Sequence, residues 1–203
     1  MPRGNKLAAE EAGYICARCA GQGLTCCRIG QAAPDNTPAD RESVCFPVSV
    51  NEQRRIIEDL RAHSHGTHSV TAAQLFAHAS NDEKFYAAMR ALFPAGGELL
   101  KQLYPAGGQH LHMRLRPDGA CACLSDTGCV LSVQARPWYC RIFPFWVIKS
   151  RLLIFKSETC LAVAHKSLPS IMRAFSTDKQ ELFGLYAHLR RDWGLERFNI
   201  ENV

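Results

Sequence analysis

No stretch of the chain approaches the roughly 20 consecutive apolar residues that a helix needs to cross a bilayer. The opening residues, MPRGNKLAAEEAGYICARC, are charged and lack the apolar region of a secretory leader, which predicts a cytoplasmic chain with no membrane partner. Blocks of like charge are missing as well. Lys and Arg are scattered and the net charge is only +5, so nucleic acid is not indicated as a partner. There is no glycine-rich cofactor loop of the usual kind and no CxxxCxxC triplet of radical S-adenosylmethionine chemistry. Nor does a strand-forming run precede Tyr14, so a thioredoxin-like role for the first cysteine pair lacks its βαβ setting. With 47% hydrophobic and 21% charged residues over 203 positions, the composition is globular, and the chain can bury a core without disulfide staples.

Cysteine is what the chain has in excess. Of its ten, Cys16, Cys19, Cys26 and Cys27 lie near the start, Cys121, Cys123, Cys129, Cys140 and Cys160 form a later group, and Cys45 stands apart. Disulfides are uncommon in the cytosol, so this many cysteines read as thiolate ligands. The Cys16–Cys19 spacing lets two thiolates wrap one metal from a tight turn, with Gly21 and Gly23 supplying flexible backbone beyond it. Two such half-sites from distant parts of the chain can build a Cys₄ zinc site or hold an iron–sulfur cluster. Both need thiolates, which Arg18, Arg28 and Arg141 would stabilise.

Local patterns predict an α+β class: a mostly helical single domain, 1–203, with small antiparallel β-hairpins around a cysteine-ligated metal site. Ser49 and Glu52 form a capping box ahead of Ile56, Ile57 and Leu60. A second helix is expected at about 71–79. A third should start near Ser80, boxed by Glu83, and run through Phe85, Tyr86, Met89 and Leu92 to Pro94. The two PAGG segments, 94–97 and 105–108, read as helix stops followed by turns. Leu111, Met113 and Leu115 alternate with polar residues before a Pro-Asp-Gly turn, and 145–158 holds two β-rich runs around Ser150–Arg151; both read as hairpins. Thr177 and Gln180 should cap a last helix whose stripe, Leu182, Phe183, Leu185, Tyr186, Leu189 and Trp193, reads as core.

Six short segments carry a family resemblance: C16-A-R-C19, T25-C26-C27-R28, C121-A-C-L124, G128-C129-V-L, R136-P-W-Y-C140-R-I-F-P144 and S157-E-T-C160. In this order they resemble the CxxCxxCC (YkgJ-type) cysteine-cluster family of zinc- or iron-chelating, or iron–sulfur, proteins. CFPVSVNEQRRI also looks like that family's extended segment entering its first helix. The resemblance spans about 14–165, leaving 166–203 as a C-terminal helical extension packed on the family core. It implies Cys16, Cys19, Cys26, Cys27, Cys121, Cys129, Cys140 and Cys160 as metal ligands. Two departures stand out: six residues separate Cys19 from Cys26, more than in the family's short version, and Cys45 and Cys123 fall off its pattern. Cys123 is the alternative to Cys121.

Eight cysteines allow two Cys₄ centres, with Cys26 and Cys27 facing different metals, or one four-thiolate cluster beside other thiols. The resemblance includes flagellin lysine methylases that carry an iron–sulfur cluster, which favours such a cluster over zinc. The expected function is a metal-binding protein with a redox or accessory role. The alternatives are a structural zinc protein mediating protein or nucleic-acid contacts, and a group-transfer enzyme related to the methylase branch. No catalytic residue or substrate stands out. Arg136 and Arg141 read as outer-shell partners of the cluster sulfurs, with Pro137 and Pro144 holding Cys140 in place. Trp138, Phe145 and Trp146 read as a cover against water. His165, five residues beyond Cys160, is a spare ligand. His110 and His112 share one strand face and read as structural, and the histidines of HSHGTH, 63–68, as a solvated helix end with Gly66 as stop.

Overall fold

The computed structural model describes residues 15–22, 25–28, 42, 44–63, 71–155, 160–163 and 167–197. The first described helix, α1, covers residues 15–21, and α2 is Val50–His63. A one-turn helix, α3 (Ala72–Leu75), runs directly into strand β1 (Phe76–Ser80), followed by α4 (Glu83–Leu92), α5 (Gly97–Leu103) and β2 (Gln109–Met113). Two very short strands, β3 (Leu124–Ser125) and β4 (Gly128–Cys129), precede α6 (Trp138–Ile142). The hairpin β5 (Phe145–Ile148) and β6 (Arg151–Ile154) leads to α7 (Leu168–Ala174), α8 (Lys179–Asp192) and a 3₁₀ turn at Leu195–Arg197. The strands pair only as β1–β2, β3–β4 and β5–β6, all antiparallel. The molecule is thus α+β, mostly helical, with small two-stranded sheets.

Two apolar clusters hold these elements. The larger joins α4 (Phe85, Tyr86, Met89), β5 (Phe145, Trp146) and α8 (Leu182, Tyr186, Leu189), and contains no cysteine. The stripe expected on the last helix is therefore core, with Leu189 fully buried and Phe183 only partly so. The smaller cluster gathers Val48, Ile56, Leu75, Phe76, Cys123 and Leu131, with Cys121 and Cys129 against its edge.

The Ser49–Glu52 capping box is present: Ser49 N donates to Glu52 Oε2 at 2.8 Å and Glu52 N to Ser49 Oγ at 3.1 Å. Glu52 does more than cap. Fully buried, it also accepts from Trp138 N at 2.7 Å and from Trp193 Nε1 at 3.1 Å. Burial raises its pKa, and these donors pull the other way by favouring the carboxylate. The start of α2 is thereby tied to the first turn of α6, the helix that presents Cys140.

Several local expectations are corrected. The helix expected at 71–79 lasts one turn, because Phe76–Ser80 pair residue for residue with Met113–Gln109 and the ladder overrides the alanines' helix preference. Asp82, not Ser80, caps α4, accepting from Phe85 N at 2.9 Å; Asp178, not Thr177, caps α8, accepting from Glu181 N at 2.8 Å. A carboxylate one or two residues on reaches the free amides better. β2 pairs with β1 rather than across the Pro-Asp-Gly turn, where only Leu115 and Cys121 bridge. Its buried face carries His110 and His112, while Leu111 and Met113 face the smaller cluster in partly buried positions. The 145–154 hairpin forms as expected, turning at Lys149 and Ser150 with φ of 48° and 57°. The HSHGTH segment beyond His63, and His165, lie outside the described residues.

Candidate metal centre

Cys16 and Cys19 lie on α1, not on a tight turn, and at i, i+3 they share one helix face. Three contacts dock this N-terminal part on the later chain. Cys121 N donates to Cys27 O at 2.8 Å, beside a bridge between Arg28 and Ala120. Gly128, at φ 110°, lets the backbone of Ala17 approach so closely that a Cβ would stand 3.3 Å from it. The amide of Leu161 donates to the Cys19 sulfur, bringing Cys160 alongside. Residues far apart in sequence thus meet on one wall.

The result is a cavity of about 400 Å³ lined by all ten cysteines: Cys16, Cys19, Cys26, Cys27, Cys45, Cys121, Cys123, Cys129, Cys140 and Cys160. None is in a disulfide. The sulfurs share the lining with the aromatic rings of Phe46, Tyr139, Phe143, Phe145 and Phe175, and with Arg136, Arg141 and Glu181. Among the described residues no histidine lines it, and sulfur is the most frequent donor, beside the oxygens of Thr25, Tyr139, Thr177 and Glu181. Cys26 and Cys140 are the most open thiols, and what they open onto is this cavity, since burial still raises the pKa of Cys140. Among the described residues, no three His, Cys, Asp or Glu side chains converge closely enough to hold a single metal ion. The thiols surround the space instead of meeting at one point.

Two pairs of neighbouring cysteines divide their charge. Cys26 donates to Cys27, and Thr25 and Arg136 add to the effect, lowering Cys27 to about 6 against its burial. The same bond raises Cys26. Cys123 donates through its thiol and its amide to Cys121, lowering Cys121 and raising Cys123. Burial raises Cys16 and Cys19, pushes Cys129 up to about 11, and pushes Cys45 up to about 12.

Arg136 is the cation that acts on the most thiols, with Arg116 favouring the charged form of Cys121. Arg136 hydrogen-bonds Cys16 and favours the charged forms of Cys27, Cys129 and Cys140 as well. Sequence patterning placed Arg18, Arg28 and Arg141 beside the thiolates, and only part of that holds. Arg18 does favour the Cys19 thiolate, but Arg28 pairs with Asp118 at 3.4 Å. Arg141 lines the cavity with its guanidinium 4.7 Å from the Trp138 ring centroid. Of the expected aromatic cover, Phe145 lines the cavity but Trp138 and Trp146 do not. Trp146 is in the larger core, donating to Leu92 O at 2.9 Å, and Trp138 stacks on His188 and donates to Asp192. Sequence reasoning missed Cys45 as a lining thiol, Gly128 as the contact for α1, and Tyr139, Phe143 and Phe175 as the aromatic wall. The Gly before Cys129 was a visible signal; the others had none. Compared with family models, curated proteins and solved structures, the chain matches none of them.

Proposed function

We propose that the chain is a cysteine-ligated metalloprotein that holds an iron–sulfur cluster and serves a redox or accessory role in the cytoplasm. The observation that carries this reading is one cavity whose lining gathers all ten free thiols. Thiolate-rich sites select zinc or iron–sulfur clusters. The family resemblance, which takes in iron–sulfur-carrying lysine methylases, favours the cluster over zinc. The eight cysteines Cys16, Cys19, Cys26, Cys27, Cys121, Cys129, Cys140 and Cys160 would supply the ligands, with Arg136 balancing their charge. The cluster would supply one-electron chemistry, and the aromatic wall would limit water around it. The resemblance to the CxxCxxCC family agrees with this reading.

Anaerobic purification followed by iron, acid-labile sulfide and zinc analysis tests it. Stoichiometric iron and sulfide with a brown chromophore are expected. A colourless protein carrying stoichiometric zinc and no sulfide would refute the cluster and leave a structural zinc protein in its place.

A further inference from the structure

A pair of arginines beside the cavity has no part in the reading above. Arg55 on α2 and Arg141 on α6 both pack on the indole of Trp138, their guanidinium carbons 4.2 Å and 4.7 Å from its ring centroid. The indole itself is held in place. Its Nε1 donates to Asp192 at 2.6 Å, the Trp138 amide donates to Glu52 at 2.7 Å, and His188 stacks on the ring at 5.0 Å. Two cations are thus kept as close neighbours on one fixed ring, and each is only partly buried, so a solute can reach them.

Among the described residues, neither guanidinium is in an ion pair. The carboxylates that act on them from a distance are Glu52 and Asp192 for Arg55, and Glu181 for Arg141. All three are engaged elsewhere: Glu52 by Ser49, Trp138 and Trp193, Asp192 by Trp138 and Asn51, and Glu181 by Thr177. Arg55 spends one terminal nitrogen on the Arg136 carbonyl at 3.0 Å, and Arg141 reaches the Gln134 carbonyl only at 3.5 Å. The Nε of each is buried without an acceptor. Burial disfavours both charges, and Arg55 further disfavours that of Arg141, yet arginine keeps its proton. Two partly desolvated cations side by side with unmet donors are costly until a counter-charge arrives. An oxyanion supplies one, because a guanidinium fork takes carboxylate or phosphate oxygens in pairs.

We infer that Arg55 and Arg141, backed by Trp138, form a binding site for the oxyanion group, carboxylate or phosphate, of a small molecule. Arg141 also lines the thiol cavity, with Tyr139 and Phe143 beside it, so an anion held here stands at the edge of that space. The inference does not rest on the iron–sulfur reading, because it uses no thiol and no metal.

Inorganic phosphate and succinate are titrated separately into the full chain at constant ionic strength, with sodium chloride as the reference salt, while tryptophan fluorescence and Tm are followed. At least one of the two should give a saturable fluorescence change and raise Tm above the chloride value, and the one that saturates at lower concentration identifies the group. Arg55→Gln and Arg141→Gln, each checked for its fold by circular dichroism, should weaken that binding by about tenfold or more. Arg173→Gln, which removes an exposed arginine of α7, should leave it unchanged. Binding as tight as wild type in either Arg55→Gln or Arg141→Gln overturns the site, and so does equal weakening by Arg173→Gln, which would mark a general charge effect. The wild type gives a reading that needs no variant: if neither oxyanion does more than chloride, the proposal falls.

Discussion

Arg136 shows how one side chain conditions the whole site. Its guanidinium meets Cys16 directly and favours the charged forms of three further thiols, so it offsets the repulsion that gathering thiolates creates. Replacing it with Ala should weaken metal retention by roughly 10- to 100-fold in chelator competition, the usual cost of an outer-shell partner. Lys should restore part of the loss, and equal retention by wild type and Arg136→Ala would show that the charge is irrelevant. His110 is a second residue whose environment has a measurable consequence. Burial, with His112 adding to it, lowers its pKa to about 4, although both of its ring partners, Asn81 Oδ1 at 3.0 Å and Cys45 O at 3.2 Å, are acceptors. A neutral ring can donate to only one of them, so desolvation outweighs the second hydrogen bond. Because the folded pKa lies below the ordinary 6.5, the unfolded chain takes up the proton first as pH falls. Stability is then full above about 6.5 and drops between there and about 4, by at most about 3 kcal/mol. Urea unfolding of wild type and His110→Gln at both ends of that window should show the wild type losing more stability on acidification.

At the scale of elements, the site depends on how α1 seats against the β3–β4 hairpin. Gly128 has φ 110°, a conformation that a residue with a Cβ adopts only under strain, and that Cβ would also stand 3.3 Å from the Ala17 backbone. Gly128→Ala should cost about 1–3 kcal/mol and, more tellingly, displace the helix that carries Cys16 and Cys19 from Cys129. Metal content should fall while the far-ultraviolet signal of the larger core persists. A variant with unchanged metal content would show that the close approach does not matter. Elements were legible in the sequence where their cause was local. The stripes on α4 and α8, the Ser49–Glu52 box and the 145–154 hairpin each arise from residues within a few positions of one another. The 71–79 segment was misread because its strand exists only through pairing with residues more than thirty positions away.

Over the whole molecule, the two apolar clusters are expected to respond differently to loss of metal. The larger contains no cysteine and joins α4, β5 and α8, whereas the smaller includes Cys123 and abuts Cys121 and Cys129. With the proposed metal bound, ligand bonds tying α1 to the 121–160 region would contribute directly to folding. Chelation should therefore lower Tm and raise amide exchange in 15–28 and 120–131, while Phe85–Leu92 and Leu182–Leu189 keep their protection. Uniform loss of protection would show instead that the metal holds the entire domain.

The sequence by itself determined the chemistry available to this protein. Ten cysteines and scattered charge leave sulfur as the dominant donor, and the helix stripes make a core that does not need disulfides. Only the tertiary structure decided that all ten thiols share one space, that Arg28 pairs with Asp118, and that His110 and His112 turn inward. The physical reason is range. Composition and periodicity report forces acting along a few residues, while the Cys27–Cys121 hydrogen bond, the Gly128–Ala17 approach and the Glu52–Trp138 tie arise only when distant segments pack together.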